Sequence, residues 1–154
     1  MDIANLLTPT AVRANLHATS KKQALQELAR LAAEATGADP RQVFDVLLER
    51  ERLGSTGVGN GIAIPHGKLP GLERLHGVFA RLEQPIEFDA IDDRPVDLIF
   101  LLLAPEGAGA DHLKALARIS RLLRDQAMCE KLRATDHDDA LFAVLNEKTE
   151  YQAA

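Results

Sequence analysis

Residues 98–104 of this 154-residue chain, Leu-Ile-Phe-Leu-Leu-Leu-Ala, are apolar without a break. A strand with one wet face alternates, so an uninterrupted run reads as a strand covered on both sides. Its seven residues make the longest apolar run in the sequence, well short of the roughly 20 that cross a bilayer. The chain must therefore supply helices for both faces of a sheet.

Those helices are legible from their caps and periods. Ser20-Lys-Lys-Gln23 forms a capping box, followed by Leu25, Leu28, Ala32 and Ala35 at helical spacing and a stop at Gly37. Asp39-Pro40 opens a second helix with Val43, Val46, Leu47 and Arg50 on one face, ended by Gly54. A third begins near Asp111 with a stripe of Leu113, Leu116, Ser120 and Leu123. A short helix covers about 126–134. The last is capped by Thr135 or Asp136 and buries Leu141, Val144 and Leu145.

Strands are expected at 12–17, where apolar residues alternate, at 62–64, at 77–82 and at 96–103, with 86–88 as a short hairpin arm. Strands interleaved with helices over this length predict an α/β sandwich, one domain without linker or repeat.

Composition narrows the function classes. The 18 basic and 23 acidic residues give a net charge of −5 with no basic stripe, which argues against a nucleic-acid binder. Cys129 is the single cysteine, so neither a disulfide framework nor a multi-cysteine zinc site is available. The opening MDIANLLTPT lacks an apolar signal region. A cytoplasmic protein that is not membrane-embedded is expected.

Residues 54–77 differ in kind, holding seven of the ten glycines. Four fall between 54 and 61, several times the average usage of about 7%. Such backbone can aim N–H groups at an anion or admit another molecule closely; a plain surface loop fits the composition too. The nucleotide motifs fail. A P-loop through Gly67-Lys68 would need glycine at Ile62 and Ser or Thr at Leu69, and a dinucleotide loop would need glycine at Ile62 or Ile64.

Within this stretch His66 follows a short apolar segment and lies between Pro65 and Gly67. Proline stiffens the approach and glycine removes a side chain on the far side. Neutral imidazole is a good nucleophile near pH 7; a loop histidine bonding local carbonyls is the plainer reading. His112 falls in the first turn of a helix, where the dipole favours a neutral ring, or is simply a tolerated exposed residue. Arg50 continues an apolar row toward the core just before the glycine loop. Its guanidinium either clamps phosphoryl oxygens or complements the helix dipole with its stem along apolar surface. His17, His76 and His137 read as surface or strand-end residues, Cys129 as packing, and Asp89, Asp92 and Asp93 as turn chemistry. Two imidazoles with no acid beside them make a poor metal site, and no metal or cofactor is expected.

The stretch 54–68, GSTGVGNGIAIPHGK, closely resembles the phosphorylation-site segment of IIA domains of the bacterial phosphotransferase system, fructose/mannitol type, nitrogen-regulatory branch (IIA-Ntr). The likeness extends through Ser20-Lys-Lys-Gln-Ala-Leu25, Arg50-Glu-Arg-Leu-Gly-Ser55, Phe88-Asp-Ala-Ile-Asp92 and Pro95-Val-Asp-Leu98. It implies one IIA type-2 domain over 1–154, with its core at about 5–149, built on a mixed central sheet flanked by helices. His66 matches the histidine that carries the phosphoryl group on Nε2, His112 the second histidine that supports transfer, and Arg50 the arginine near the phosphate. Gly57, Gly59, Asn60, Gly61 and Gly67 would form the partner-facing loop.

The implied donor is a phosphocarrier of the NPr/HPr kind, charged by an enzyme I from phosphoenolpyruvate. The implied targets are potassium-transport proteins and sensor kinases. Asn60 stands where mannitol members carry an acid, and no IIB or IIC segment follows before Ala154. Both favour regulation over sugar uptake; a stand-alone sugar IIA that passes phosphate to a separate IIB would be equally short and is one alternative. A binding module that is never phosphorylated is the remaining alternative.

Overall fold

The computed structural model describes residues 2–153, the side chains of 148–153 excepted; Met1 and Ala154 lie outside the described residues. Six strands and five helices follow two short 3-10 turns: β1 (Val12–Leu16), α1 (Lys21–Thr36), α2 (Pro40–Arg52), β2 (Gly57–Gly59), β3 (Ile62–Ala63), β4 (His66–Lys68), β5 (His76–Ile86), β6 (Val96–Ala104), α3 (Ala110–Arg124), α4 (Gln126–Arg133) and α5 (Asp138–Ala153). The sheet is mixed, in the order β1-β5-β6-β3-β2, and β4 also pairs with β6. β5 runs antiparallel to β6, whereas β3 and β4 run parallel to it in succession along the same side.

The apolar run is the central strand, and its two faces are read alternately. Leu98, Phe100, Leu102 and Ala104 pack toward α3, α4 and α5. Val96, Ile99, Leu101 and Leu103 pack toward α1 and α2. Each buried leucine or isoleucine contributes about 1.5–3 kcal/mol relative to exposure, so this strand anchors both layers at once.

Local signals account for most of the helices. Ser20 accepts the Gln23 N–H at 3.1 Å, the Gln23 amide reaches back to Thr19, and Gly37 closes α1 in the left-handed conformation at φ 79°. Pro40 starts α2 without a side-chain cap bond from Asp39.

Four expectations are corrected. The buried face of α3 is His112, Ala115, Ile119, Leu122 and Leu123, so the expected stripe holds at Leu123 and at half-buried Leu116 but not at Leu113, which is exposed. The stripe fails in the first turn because the helix turns an imidazole inward there. Residues 86–88 do not form a separate arm: β5 continues through a bulge to Ile86, which pairs with Val96. The last helix starts at Asp138, with His137 O accepting the Leu141 N–H, so neither Thr135 nor Asp136 holds the cap. Residues 57–59 and 66–68 are strands where sequence gave only loop, since segments of three residues leave no period to count.

Candidate functional site

His66 opens β4 opposite Leu102, so its side chain lies on the α3 face of the sheet. Gly67, opposite Leu103, faces α2. A Cβ on Gly67 would sit 2.4 Å from Val46 Cγ1. The missing side chain thus lets α2 close against β4, which is a packing reason for this glycine beyond access to the histidine.

Arg50, in the last turn of α2, spans the gap. Its Nε donates to His66 Nε2 at 3.3 Å and its Nη1 to Gly54 O at 2.9 Å. On the other side of the ring, His66 Nδ1 lies 2.8 Å from Ile64 O. A carbonyl accepts only, so Nδ1 carries the proton; Nε2, receiving Arg50, presents its lone pair. The histidine does bond a local carbonyl, and that bond is what frees the other nitrogen.

His112 completes the cluster. Its ring meets that of His66 edge-on, with centroids 5.7 Å apart and planes at 68°. It is buried, not an exposed first-turn residue, and its Nε2 has no hydrogen-bond partner among the described residues. Burial pushes the His66 imidazolium pKa below its usual range, and Arg50 adds to this against the opposing pull of Ile64 O and Glu51. His112 is lowered as well, by burial, then by His66 and Lys68. Both rings are therefore neutral near pH 7.

These shifts fix a pH dependence of stability. His66, His112 and His76 titrate lower in the fold than their unfolded value of 6.5. Between those limits the unfolded chain binds more protons, so stability rises with pH. Melting temperature is expected to be flat above about pH 7 and to fall as pH drops through the folded values. His112→Gln should flatten the slope in differential scanning calorimetry; an unchanged slope counts against the burial of that ring.

The glycine segment divides into two places. Asn60 and Gly61, at φ 58° and 81°, make a two-residue turn joining β2 to β3. Asn-Gly between short strands is a hairpin signature that the sequence displayed. Asp92 accepts the Asn60 N–H at 2.9 Å, and Arg133 binds Asn60 O at 2.7 Å and Asp97 at 2.9 Å. This turn sits beside Asp97, five positions along β6 from Leu102, roughly 16 Å from the register of His66. Asn60 and Gly61 are thus not beside the imidazole cluster. Gly57 and Gly59 lead into the turn, Gly57 against Ala90.

Sequence reasoning missed a buried carboxylate. Glu51, one residue after Arg50, accepts the Thr56 amide at 3.0 Å and the Thr56 hydroxyl, and pairs with Lys21 Nζ at 3.0 Å. Lys21 in turn lies over the Phe88 ring. An acid in a charged run, Glu-Arg-Glu-Arg, gave no sign of burial; only its phase with Val43 and Leu47 could have.

No group of three metal-ligating side chains occurs among the described residues. Grooves of about 780 and 740 Å³ lie elsewhere, one along Leu7, Arg74 and Pro105, the other along Asp97, Cys129 and Arg133. Neither is lined by His66, His112 or Arg50. His66 is half-buried and His112 buried. Cys129 is buried, its thiol donating to Leu123 O and its pKa raised by burial, as packing requires.

The model of the phosphoenolpyruvate-dependent sugar phosphotransferase system EIIA 2 family matches residues 5–148. The chain belongs to this family. It is 63% identical over 145 residues to a nitrogen regulatory protein of Bradyrhizobium diazoefficiens, covering 94% of this chain and 95% of that one. A nitrogen regulatory protein of Escherichia coli K12 is 43% identical over 148 residues, covering 96% and 91%. The crystal structure of nitrogen regulatory protein IIA-Ntr from Neisseria meningitidis superposes with a TM-score of 0.87 at 35% identity, covering 93% and 98%. The mixed sheet with helices on both faces is the IIA-Ntr fold, and the chain sits in the nitrogen-regulatory branch of the EIIA family.

Proposed function

We propose that this IIA domain, spanning 1–154, is a phosphohistidine carrier and regulator that accepts a phosphoryl group on His66 Nε2 from an NPr/HPr-like protein. The observation that carries the reading is the set of contacts of His66: Nδ1 lies 2.8 Å from Ile64 O, which assigns the proton there, and Nε2 accepts from Arg50 beside His112.

In the transfer, the His66 Nε2 lone pair forms a P–N bond as the bond from phosphorus to the donor's ring nitrogen breaks and returns its electron pair there. Positive charge that develops on the His66 ring is met by the Nδ1–H···O=C bond to Ile64. Arg50, tethered by Nη1 to Gly54 O, shifts its Nε–H from Nε2 to a phosphoryl oxygen. Fixed donors around the equatorial oxygens are most of what phosphoryl transfer requires. The buried His112 Nε2, without a partner among the described residues, gains a phosphoryl oxygen as its partner.

Apolar surface flanks the two ends of the cluster, which suits a protein donor. Leu53, three residues past Arg50, and Leu113, beside His112, are exposed apolar side chains of the kind a docking partner covers. The output is regulatory: phosphorylation adds charge at this rim and alters binding of target proteins of the potassium-transport or sensor-kinase type. The reading carries a cytoplasmic location.

The test is incubation with phosphoenolpyruvate, enzyme I and an NPr-like carrier. The protein is expected to take up acid-labile phosphate, His66→Ala to take up none, and His112→Ala to take it up slowly. Labelling of His66→Ala at the normal rate would overturn the assignment. Target binding that ignores the phosphate supply would instead favour a plain binding module.

A further inference from the structure

Arg50 and Glu51 are consecutive in α2 yet serve opposite sides of one imidazole. Arg50 reaches His66 Nε2 directly. Glu51 turns inward, its side chain 3% exposed, and a carboxylate so buried is costly unless every lone pair finds a donor. It finds three: the Thr56 N–H, the Thr56 hydroxyl and the Lys21 ammonium. Lys21 is itself held over Phe88, 4.8 Å from the ring centre.

The path then continues to the histidine. Thr56 O accepts the Ile64 N–H at 3.0 Å, and Ile64 O lies 2.8 Å from His66 Nδ1. Pro65 intervenes with its fixed φ and no N–H, so the direction of the Ile64 carbonyl follows from where the Ile64 amide is fastened. β6 holds the far side of this peptide, the Leu102 N–H donating to Pro65 O at 3.0 Å, so the Thr56 anchor fixes the near side, and losing it weakens the aim of the Ile64 carbonyl at Nδ1. The Nδ1 proton then loses its acceptor, and only the Arg50 Nε–H donated to Nε2 still favours that tautomer.

Resting on the reading of His66 as phosphoryl acceptor, we propose that Glu51 is a positioning residue, its buried carboxylate acting through Thr56 and the Ile64 backbone to hold Nδ1 protonated and Nε2 reactive. Glu51 does not touch the phosphoryl group. It fixes the tautomer as the orienting acid of a catalytic triad does, but through two backbone links instead of one side-chain contact. Its anion also acts on His66 against Arg50, raising what the guanidinium lowers.

The test compares Glu51→Gln, Thr56→Val and Thr56→Ser in the full chain. Nitrogen NMR reads the His66 tautomer, and single-turnover uptake from a phosphorylated NPr-like carrier reads rate against donor concentration. Glu51→Gln and Thr56→Val are expected to populate the Nε2–H tautomer. They should slow uptake at saturating donor about tenfold to a hundredfold, with the half-saturating concentration unchanged. Thr56→Ser, which keeps the hydroxyl, should restore both readouts. Should Glu51→Gln fail to fold, Thr56→Val carries the test. Folded variants with the native tautomer and native rate would overturn the proposal. A native chain that takes up no phosphate, with the tautomer still shifting in the variants, would sink the acceptor reading and leave the positioning role standing.

Discussion

Arg50→Ala is expected to slow phosphoryl uptake by His66 about 10²–10³-fold, the usual effect of removing one preorganised donor from the charge that develops in a transition state. The side chain has two anchored contacts, Nε to His66 Nε2 at 3.3 Å and Nη1 to Gly54 O at 2.9 Å. The second holds the guanidinium in place while the first changes partner. Lysine, a compact point charge on a flexible stem, cannot make both bonds in one plane. Arg50→Lys should therefore recover no more than a minor part of the loss. The fold should survive either change, since the residue is half-buried at the end of α2. A lysine variant that matches the native rate in rapid-quench measurements would show that charge alone suffices.

The second large effect falls on stability. In Gly67→Ala the added Cβ lands 2.4 Å from Val46 Cγ1, well inside contact distance. The backbone of Gly67 is not left-handed, so the cost is overpacking, typically about 1–3 kcal/mol. Relief comes from a strained Val46 rotamer or from α2 moving off β4, and the second also carries Arg50 away from His66. Urea unfolding should show a lower midpoint with an unchanged slope. Adding Val46→Ala should return most of the loss, a coupling of about 0.5–3 kcal/mol between touching residues. A Gly67→Ala chain as stable as the native one would mean that α2 and β4 do not pack this closely.

These two residues illustrate what the sequence disclosed. The unbroken run at 98–104 demanded a strand buried on both faces, and β6 is that strand. The capping box at Ser20 and the Asp39-Pro40 start located α1 and α2, hence the end of α2 from which Arg50 reaches out. Arg50, His66 and His112, separated by up to 62 positions, do meet. Their convergence was available only through resemblance, because no local pattern states that β4 and the first turn of α3 are neighbours.

What stayed hidden has physical causes. Strands of two or three residues such as β2 and β4 have too little length to show a period. The first turn of α3 was misjudged because a buried imidazole took the place that Leu113 was expected to fill. The two ends of the glycine segment look like one loop in sequence, yet the Asn60-Gly61 turn binds Asp92 and Arg133 while Gly67 meets Val46. Glu51 looked like a solvated helix acid, since its three donors come from α1 and from the chain beyond α2.

The central claim is that His66 reacts through Nε2, and nitrogen-coupled phosphorus NMR of the chain charged by phosphoenolpyruvate, enzyme I and an NPr-like carrier tests it most directly. A single phosphoramidate signal coupled to His66 Nε2 is the predicted result. A signal at Nδ1, or on any residue other than His66, would contradict it.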